Sequence, residues 1–409
     1  QDNRSFTNLQ SGVGVLGSSL TQSLNNLVAG QLSAFQVAIN PQGLAPGQTL
    51  NFPVTQPNFN RSLSAHDFSL YFSHSLRALP RLNVFWGLRY DFFDSIRSRR
   101  GTVFNSFFAG DGNDIFGSIR NGGLFNAGNG LDNGTLYQRD WDNIAPRIGL
   151  AADLTGDGKT SLRGGYGINY DRPFSTLAPF FQTSSNFALA SFANVTGTGG
   201  VPLSLSTLGP LAGTAGTATV PNFTLNGVNA NLDTPMIHFW DVALERELGR
   251  NTVAAVQYAG SHGRDLYTFS NVNRPGSGAT YLGDVTPLTR LNPAFGPINY
   301  LTNQGRSNYN ALIVEMSNST WRTIGLQMSA RYRYAKSLDN VGTFANSALT
   351  GLSVNQLSPF DPNNDYGPSD FDIRHRFTGS FNWEVPFDKI GDRFFGGTGT
   401  AIGRQVFGG

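Results

Sequence analysis

The sequence predicts an all-β chain: an antiparallel, up-and-down transmembrane β-barrel segment with short turns at one end and long loops at the other. Three observations predict it. Long stretches alternate apolar and polar residues with a period of two. The connections between them go short, long, short, long. Each stretch runs about 12–17 residues, beyond the ~5–6 usual in soluble sheets and the ~9–11 that cross a bilayer when tilted.

Residues 1–64 read as an irregular, loop-rich region with room for one strand. About nine strands follow, near 65–78, 81–93, 141–153, 160–171, 234–248, 251–263, 307–319, 322–336 and 370–386. The short connections are Leu79-Pro80, the turn from Thr155 to Lys159, Gly249-Arg250 and Thr320-Trp321. Long loops cover 94–140, 172–233, 264–306 and 337–369, rich in Gly, Asn, Ser, Thr and Phe, and 387–409 reads as a Gly-rich turn or cut end. Long loops count against a compact soluble domain. They are normal on the extracellular side of an outer-membrane barrel, whose periplasmic turns are short, so 81–93, 160–171, 251–263 and 322–336 are expected to run outward.

The faces carry the membrane argument. Leu82, Val84, Trp86, Leu88 and Tyr90 share one side of their strand, opposite Arg89 and Asp91. Tyr332 and Tyr334 oppose Arg331 and Arg333; Phe377, Phe381 and Trp383 oppose Asp372, Arg374, Arg376 and Glu384; Trp240 opposes Asp241 and Glu245. Tyr90, Tyr166, Tyr170, Tyr332 and Tyr334 gather at the outward ends, where an interfacial aromatic girdle is expected. A half-buried soluble sheet alternates in the same way, and strand length favours the membrane.

Composition excludes several classes. Charged residues are 14% of 409, against roughly 25% in soluble chains, while Gly (49), Phe (32) and Tyr (13) are abundant. Mean hydropathy is −0.22 and no run approaches the ~18 apolar residues of a spanning helix, which rules out a helical membrane protein. With no Cys there are no disulfides or thiolate sites, and a net charge of +2 argues against nucleic acid as a partner. The polar start Gln1-Asp2-Asn3-Arg4 lacks a signal peptide's apolar stretch, so an exported protein is expected here as a piece or a trimmed form.

Motifs for other chemistry fail on context. Gly12-Val13-Gly14-Val15-Leu16-Gly17 fits G-x-G-x-x-G, but a polar run precedes it and no βαβ unit follows, so a Gly-rich loop is the better reading. The run from Asp153 to Gly158 has the spaced Asp and Gly of a calcium loop, but position twelve is Gly164 where a bidentate Glu is needed. Asp-Gly in a short connection is the ordinary hairpin signal. The histidines His66, His74, His238, His262 and His375 have no zinc-site spacing, and no G-x-S-x-G places a nucleophile. No cofactor, metal or enzymatic activity is expected.

A set of segments then points to a family. Leu79-Pro80-Arg81-Leu82-Asn83-Val84-Phe85-Trp86-Gly87-Leu88-Arg89-Tyr90 is followed by Asn143-Ile144-Ala145-Pro146-Arg147-Ile148-Gly149-Leu150. Next come Gly156-Asp157-Gly158-Lys159-Thr160-Ser161-Leu162-Arg163-Gly164-Gly165-Tyr166-Gly167 and Glu245-Arg246-Glu247-Leu248-Gly249 with Tyr258-Ala259-Gly260-Ser261-His262-Gly263. Arg306-Ser307-Asn308-Tyr309-Asn310-Ala311-Leu312 and Ser369-Asp370-Phe371-Asp372-Ile373-Arg374-His375-Arg376-Phe377 complete it. In this order the set resembles the middle of the barrel wall of Oar-like TonB-dependent receptors. The resemblance implies a 22-stranded barrel closed by a plug domain, with uptake or export of a large solute driven by an inner-membrane energy-transducing complex. The chain lacks the plug and the coupling box and holds about half the strands, so these are expected beyond its ends.

The barrel reading assigns candidates. Arg89, Asp91, Arg147, Arg163, Asp241, Glu245, Glu315, Arg331, Arg333, Asp372, Arg374, Arg376 and Glu384 are expected to line the lumen, where cross-strand ion pairs are the plainer explanation of any one residue. Leu82, Val84, Trp86, Leu88, Tyr90, Tyr166, Tyr170, Trp240, Tyr332, Tyr334, Phe377, Phe381 and Trp383 are expected to meet outer-membrane lipid. Phe104, Phe107, Phe108 and Phe116 in the first long loop are candidates to capture an extracellular ligand, or to fold over the barrel mouth. The alternatives are a surface β-protein acting as an adhesin and a passive outer-membrane pore.

Overall fold

A computed structural model describes residues 5–7, 31–39, 47–52, 63–98, 105–126, 135, 137–172, 191–202, 216–219, 225–249, 251–276, 289–321, 326–341 and 360–383, with single positions 21, 25, 28 and 44. Nine long strands form its frame: β1 (Asp67–Leu79), β2 (Leu82–Phe93), β3 (Ile144–Asp153), β4 (Thr160–Tyr170), β5 (Met236–Gly249), β6 (Thr252–Asn271), β7 (Ile298–Trp321), β8 (Leu326–Asp339) and β9 (His375–Trp383). Each pairs antiparallel with the next in the chain. With four short strands from the loops they make one 13-stranded sheet, which is open between β1 and β9.

Local chemistry explains the turns. Between β3 and β4 the Asp153 carboxylate accepts the backbone N–H groups of Gly156 (2.8 Å) and Gly158 (3.0 Å), both in the left-handed region that glycine tolerates. Between β5 and β6, Gly249 (φ 90°) and Asn251 (φ 59°) turn the chain where only Gly and Asn do so cheaply. The β7–β8 connection is displaced from Thr320-Trp321: β7 runs on to Trp321, which pairs with Leu326, because the register slips after the Asn318–Met328 pair.

Register puts most of the large apolar residues of the strands on one face. One row across the sheet runs Phe72, Leu88, Pro146; the next runs His74, Trp86, Ile148, Tyr166, Trp240, Gly260; a third runs Leu76, Val84, Leu150, Gly164, Val242, Tyr258, Leu312, Tyr334, His375. Residues directly opposite across an antiparallel pair share a face, so the alternation within each strand is also a continuous surface. Its large side chains are open: Val242 is 51% exposed, Phe377 72% and Phe381 78%. Leu82 and Val84 are half-buried, and Phe92 is buried against Trp141 with ring centroids 4.2 Å apart.

The loops are not structureless. Asn105–Phe108, Gly123–Asn126 and Leu225–Val228 add to the loop-end half of β7, the last in parallel with both β7 and Asn105–Phe108, so the sheet is locally mixed rather than wholly antiparallel. A short helix, Ile115–Arg120, is capped by the Asp114 carboxylate on the Gly117 N–H (2.6 Å). Phe107, Ile119, Leu225, Val272, Leu291, Phe295, Ile298 and Tyr300, drawn from three separate loops, bury one another in a core of their own. Residues 1–64 hold more than one strand. Ser5–Thr7 and Gln31–Ile39 join Ser191–Pro202, Thr49–Phe52 pairs Gly216–Thr219, and Leu63–Ser64 pairs Arg97–Ser98.

Candidate functional site

The face opposite the apolar one gathers the expected charged residues. Arg89, Asp91, Arg147, Arg163, Asp241, Glu245, Glu315, Arg331, Arg333 and Arg376 all fall on it by register. Arg89 pairs with Asp91 at 2.8 Å, Arg163 with Glu245 at 3.0 Å on the diagonal between β4 and β5, and Arg331 with Glu315 at 3.8 Å directly across β7 and β8. Arg147 donates to the Asn169 amide oxygen at 2.5 Å. Asp91 is buried, whereas the Arg163–Glu245 and Arg331–Glu315 pairs are largely open to solvent and contribute only ~0.2–1 kcal/mol each. Their effect is to hold charge in place on this surface.

Two of the expected residues sit off the strand. Residues 370–374 form a turn ahead of β9, because the Asp372 N–H closes onto the Ser369 carbonyl (2.9 Å) and its carboxylate takes the Ser337 N–H (2.8 Å). Asp372 and Arg374 therefore pair with each other at 2.9 Å at the loop end of β8. The backbone N–H of Ser337 holds the Asp372 carboxyl below the usual carboxylate range. Glu384 lies outside the described residues.

Between the charges the polar face is hollow, a feature missed in reading the sequence. Gly87, Gly149 and Gly165 stand on it, and two cavities open there. One, of 260 Å³, lies over Gly87 between Tyr71, Phe85, Arg89 and Arg147. The other, of 280 Å³, lies over Gly149 and Gly165 between Phe85, Arg163 and Asp241. The signal was present: these glycines occupy polar-parity positions, where they leave room without breaking the apolar face. Ala145, Ala311 and Ala335 on the same side are buried, while Tyr71 and Phe85 stand exposed.

The expected lipid-facing residues share the other face, with Tyr90 and Tyr170 half-buried at its loop end. Tyr90 donates to the Trp141 carbonyl (3.0 Å) and Tyr170 to the Ile144 carbonyl (3.4 Å), while Tyr166 and Tyr332 hydrogen-bond His238 Nδ1 and His375 Nδ1, each at 2.8 Å. On β2, β4, β5, β8 and β9 the apolar stretch thus includes groups able to hydrogen-bond.

The loop phenylalanines need correction. Phe107 is fully buried in the loop core and Phe108 is buried beside it, so neither side chain is open for ligand capture. The physical reason is that three loops contribute apolar residues to one another rather than to solvent. Phe116 packs on Phe360, ring centroids 4.7 Å apart. Phe104, like Gly12 to Gly17, lies outside the described residues.

At the loop end of β2, Asp94 accepts from Arg139 (2.7 Å) and Arg97 (2.6 Å), with His66 at 3.6 Å. Burial pushes its carboxyl up, but the two guanidinium groups outweigh that and hold it below the usual range. Nearby, Asp140 accepts the Thr234 N–H (2.8 Å) and the Asp142 N–H (3.2 Å), and its closeness raises the Asp142 carboxyl. Among the described residues no group of His, Asp and Glu has the arrangement of a metal site.

The structure resembles solved outer-membrane proteins at low identity. An outer membrane transporter of Escherichia coli, YddB, aligns at 13% identity over 76% of this chain and 34% of its own, with a TM-score of 0.39. A mutant ferric enterobactin receptor of Pseudomonas aeruginosa aligns at 12% over 75% and 34% (TM-score 0.36), and the siderophore receptor PirA of the same organism at 10% over 75% and 51% (TM-score 0.31). The chain spans about a third to a half of the length of these proteins. No curated protein matches it. The model of the outer membrane beta barrel domain matches residues 2–409, nearly the whole chain, and agrees with the two-faced antiparallel sheet. The chain belongs to the outer membrane beta barrel domain family and is a protein of the bacterial outer membrane.

Proposed function

We propose that this chain is part of the wall of an Oar-like TonB-dependent receptor that moves a large solute across the outer membrane with energy coupling. The observation that carries the reading is the opposition of the two faces. A continuous apolar face meets lipid, and behind it a face of small residues and fixed charges lines a lumen. The hollow over Gly149 and Gly165 leaves space for a plug domain to pack against the wall, and the ordered motifs support the Oar-like assignment. The loop end then faces outward, and its folded lobe meets the extracellular ligand. Enzymatic chemistry has no part in this reading.

The test uses the full-length parent in planar bilayers. The intact parent is expected to conduct almost nothing, and the parent with its plug deleted to conduct strongly. Conductance by the intact protein without energy coupling would favour a passive pore. Recovery of folded parent from the periplasm without detergent would remove the membrane reading altogether.

A further inference from the structure

The arginines of the polar face are not all held in the same way. Arg89 pairs with Asp91, Arg163 with Glu245 and Arg331 with Glu315, while Arg147 donates to Asn169. Arg333 and Arg376 stand directly opposite each other across β8 and β9, and neither forms an ion pair with a carboxylate among the described residues. Glu315, diagonal to Arg333 by register, is taken by Arg331, and Asp372 is taken by Arg374. Two positive charges are left over in one place.

Their surroundings sharpen that excess. On β7 the register sets Ile313 against Arg333, and Ile313 is buried with Ala311 and Ala335 although all three stand on the polar face. The Arg333 Nε is itself buried and donates to nothing among the described residues. A guanidinium beside an apolar patch is screened less than one in open water, so its charge reaches a neighbour at greater strength. Toward the turns, the next pairs on this face are Arg331 with Thr378 and Ser329 with Ser380, whose hydroxyls lie 2.9 Å apart. From Ser329 to Arg333 and from Arg376 to Ser380, the polar face therefore carries hydrogen-bond donors and no acid.

We propose that Arg333 and Arg376 form a binding site for a phosphate group, free or esterified, with the Thr378 hydroxyl as a further donor. Two facing guanidiniums, each presenting parallel N–H groups, match the several oxygens and the near −2 charge of a phosphate. A carboxylate balances only one of them. Directly opposed Cβ atoms lie ~4.5–5.5 Å apart, so both side chains can close on one such group. On the lumen reading the site lies part-way along the wall, level with Arg163, where it holds a phosphate-bearing solute. The place on a passage through the membrane rests on that reading; the affinity for phosphate does not.

Isothermal titration of the full-length parent in detergent micelles tests this, at fixed ionic strength, with inorganic phosphate, glycerol 3-phosphate and acetate as probes. Both phosphates are expected to bind, and acetate about 10-fold more weakly or worse. Binding of glycerol 3-phosphate should strengthen as pH rises through the ester's second pKa, ~6, where the dianion forms. The double variant Arg333→Gln/Arg376→Gln should lose about 10-fold or more in affinity, and Arg376→Lys, which keeps the charge without the fork, should lose less. Unchanged heat-modifiability on a gel checks that each variant folds. Comparable binding of the ester and the free ion supports a phosphorylated solute, and binding of inorganic phosphate alone supports a site for the free ion. No binding of either, equal binding of acetate, or equal affinity in the double variant overturns the proposal. A parent that binds phosphate as expected yet fractionates as a soluble protein defeats the lumen reading and leaves this site standing.

Discussion

Arg333 and Arg376 stand directly opposite each other across β8 and β9 on the polar face. The neighbouring row sets Glu315 against Arg331, so the repulsion at 333/376 belongs to one pair rather than to the whole strand. Like charges directly opposed in a sheet are destabilising. Arg376→Glu is therefore expected to stabilise the protein by ~0.2–1 kcal/mol. A urea unfolding midpoint in micelles that stays put or falls would contradict it.

Ala255 and Val256 are neighbours on opposite faces of β6. Val256 lies mid-band on the apolar side, while Ala255 stands in the row between Glu245 and Glu315. Arginine at 256 is expected to cost ~2–4 kcal/mol in a bilayer. Arginine at 255 meets two carboxylates and is expected to be neutral or mildly stabilising. Refolding yields into vesicles should separate the two variants, and equal losses would count against the assignment of the faces.

Trp240 lies over Gly260 on the apolar face, where a Cβ at 260 would approach the indole to 2.5 Å. Gly260→Val must displace that ring, at about 1–3 kcal/mol. A shift in tryptophan emission should accompany the loss of stability. Gly260→Ala should show a smaller version of both effects.

Asn273 is fully buried and organises the third long loop. Its amide nitrogen donates to the carbonyls of Asn292 (2.9 Å), Phe295 (3.2 Å) and Gly296 (2.8 Å), and its oxygen accepts the Asn292 N–H (2.8 Å). Asn273→Ala strands these groups at a local cost of ~1–3 kcal/mol. Hydrogen exchange across 291–298 should speed up while that of β3 and β4 does not change.

The Asp94 cluster gives a pH dependence. Because its carboxyl is held below its ordinary value of 3.8, the stabilisation is complete above that value and disappears as pH falls through the lowered one. Proteolysis near residues 94–98 is expected to accelerate only in strong acid. In Asp94→Asn it should already be faster at neutral pH and nearly flat with pH.

The faces were legible because a strand's period is two: Trp86 and Phe377 could be assigned without knowing what they touch, and pairing preserves their parity. The loop lobe was not legible. Phe107, Leu225 and Ile298 belong to three loops far apart in the chain, and no local pattern announces that they meet. Nor does any repeat mark the parallel addition of Leu225–Val228 to β7, which depends on backbone hydrogen bonds formed only once the lobe has folded. Gln31–Ile39 did carry alternation at Phe35, Val37 and Ile39, hidden among Gly-rich flanks. The hollows over Gly87 and Gly149 escaped notice because an absent side chain makes no pattern of its own.

The lengths of β6 and β7, 20 and 24 residues, reach beyond the bilayer. At ~3.3 Å per residue β7 extends roughly 80 Å, and at a ~45° lean it rises about 55 Å, well past a ~30 Å hydrocarbon layer. The surplus forms a stiff mast that carries the lobe clear of the lipid surface. In the proposed orientation, a ligand that docks on that platform meets the protein above the headgroups rather than at the lipid surface.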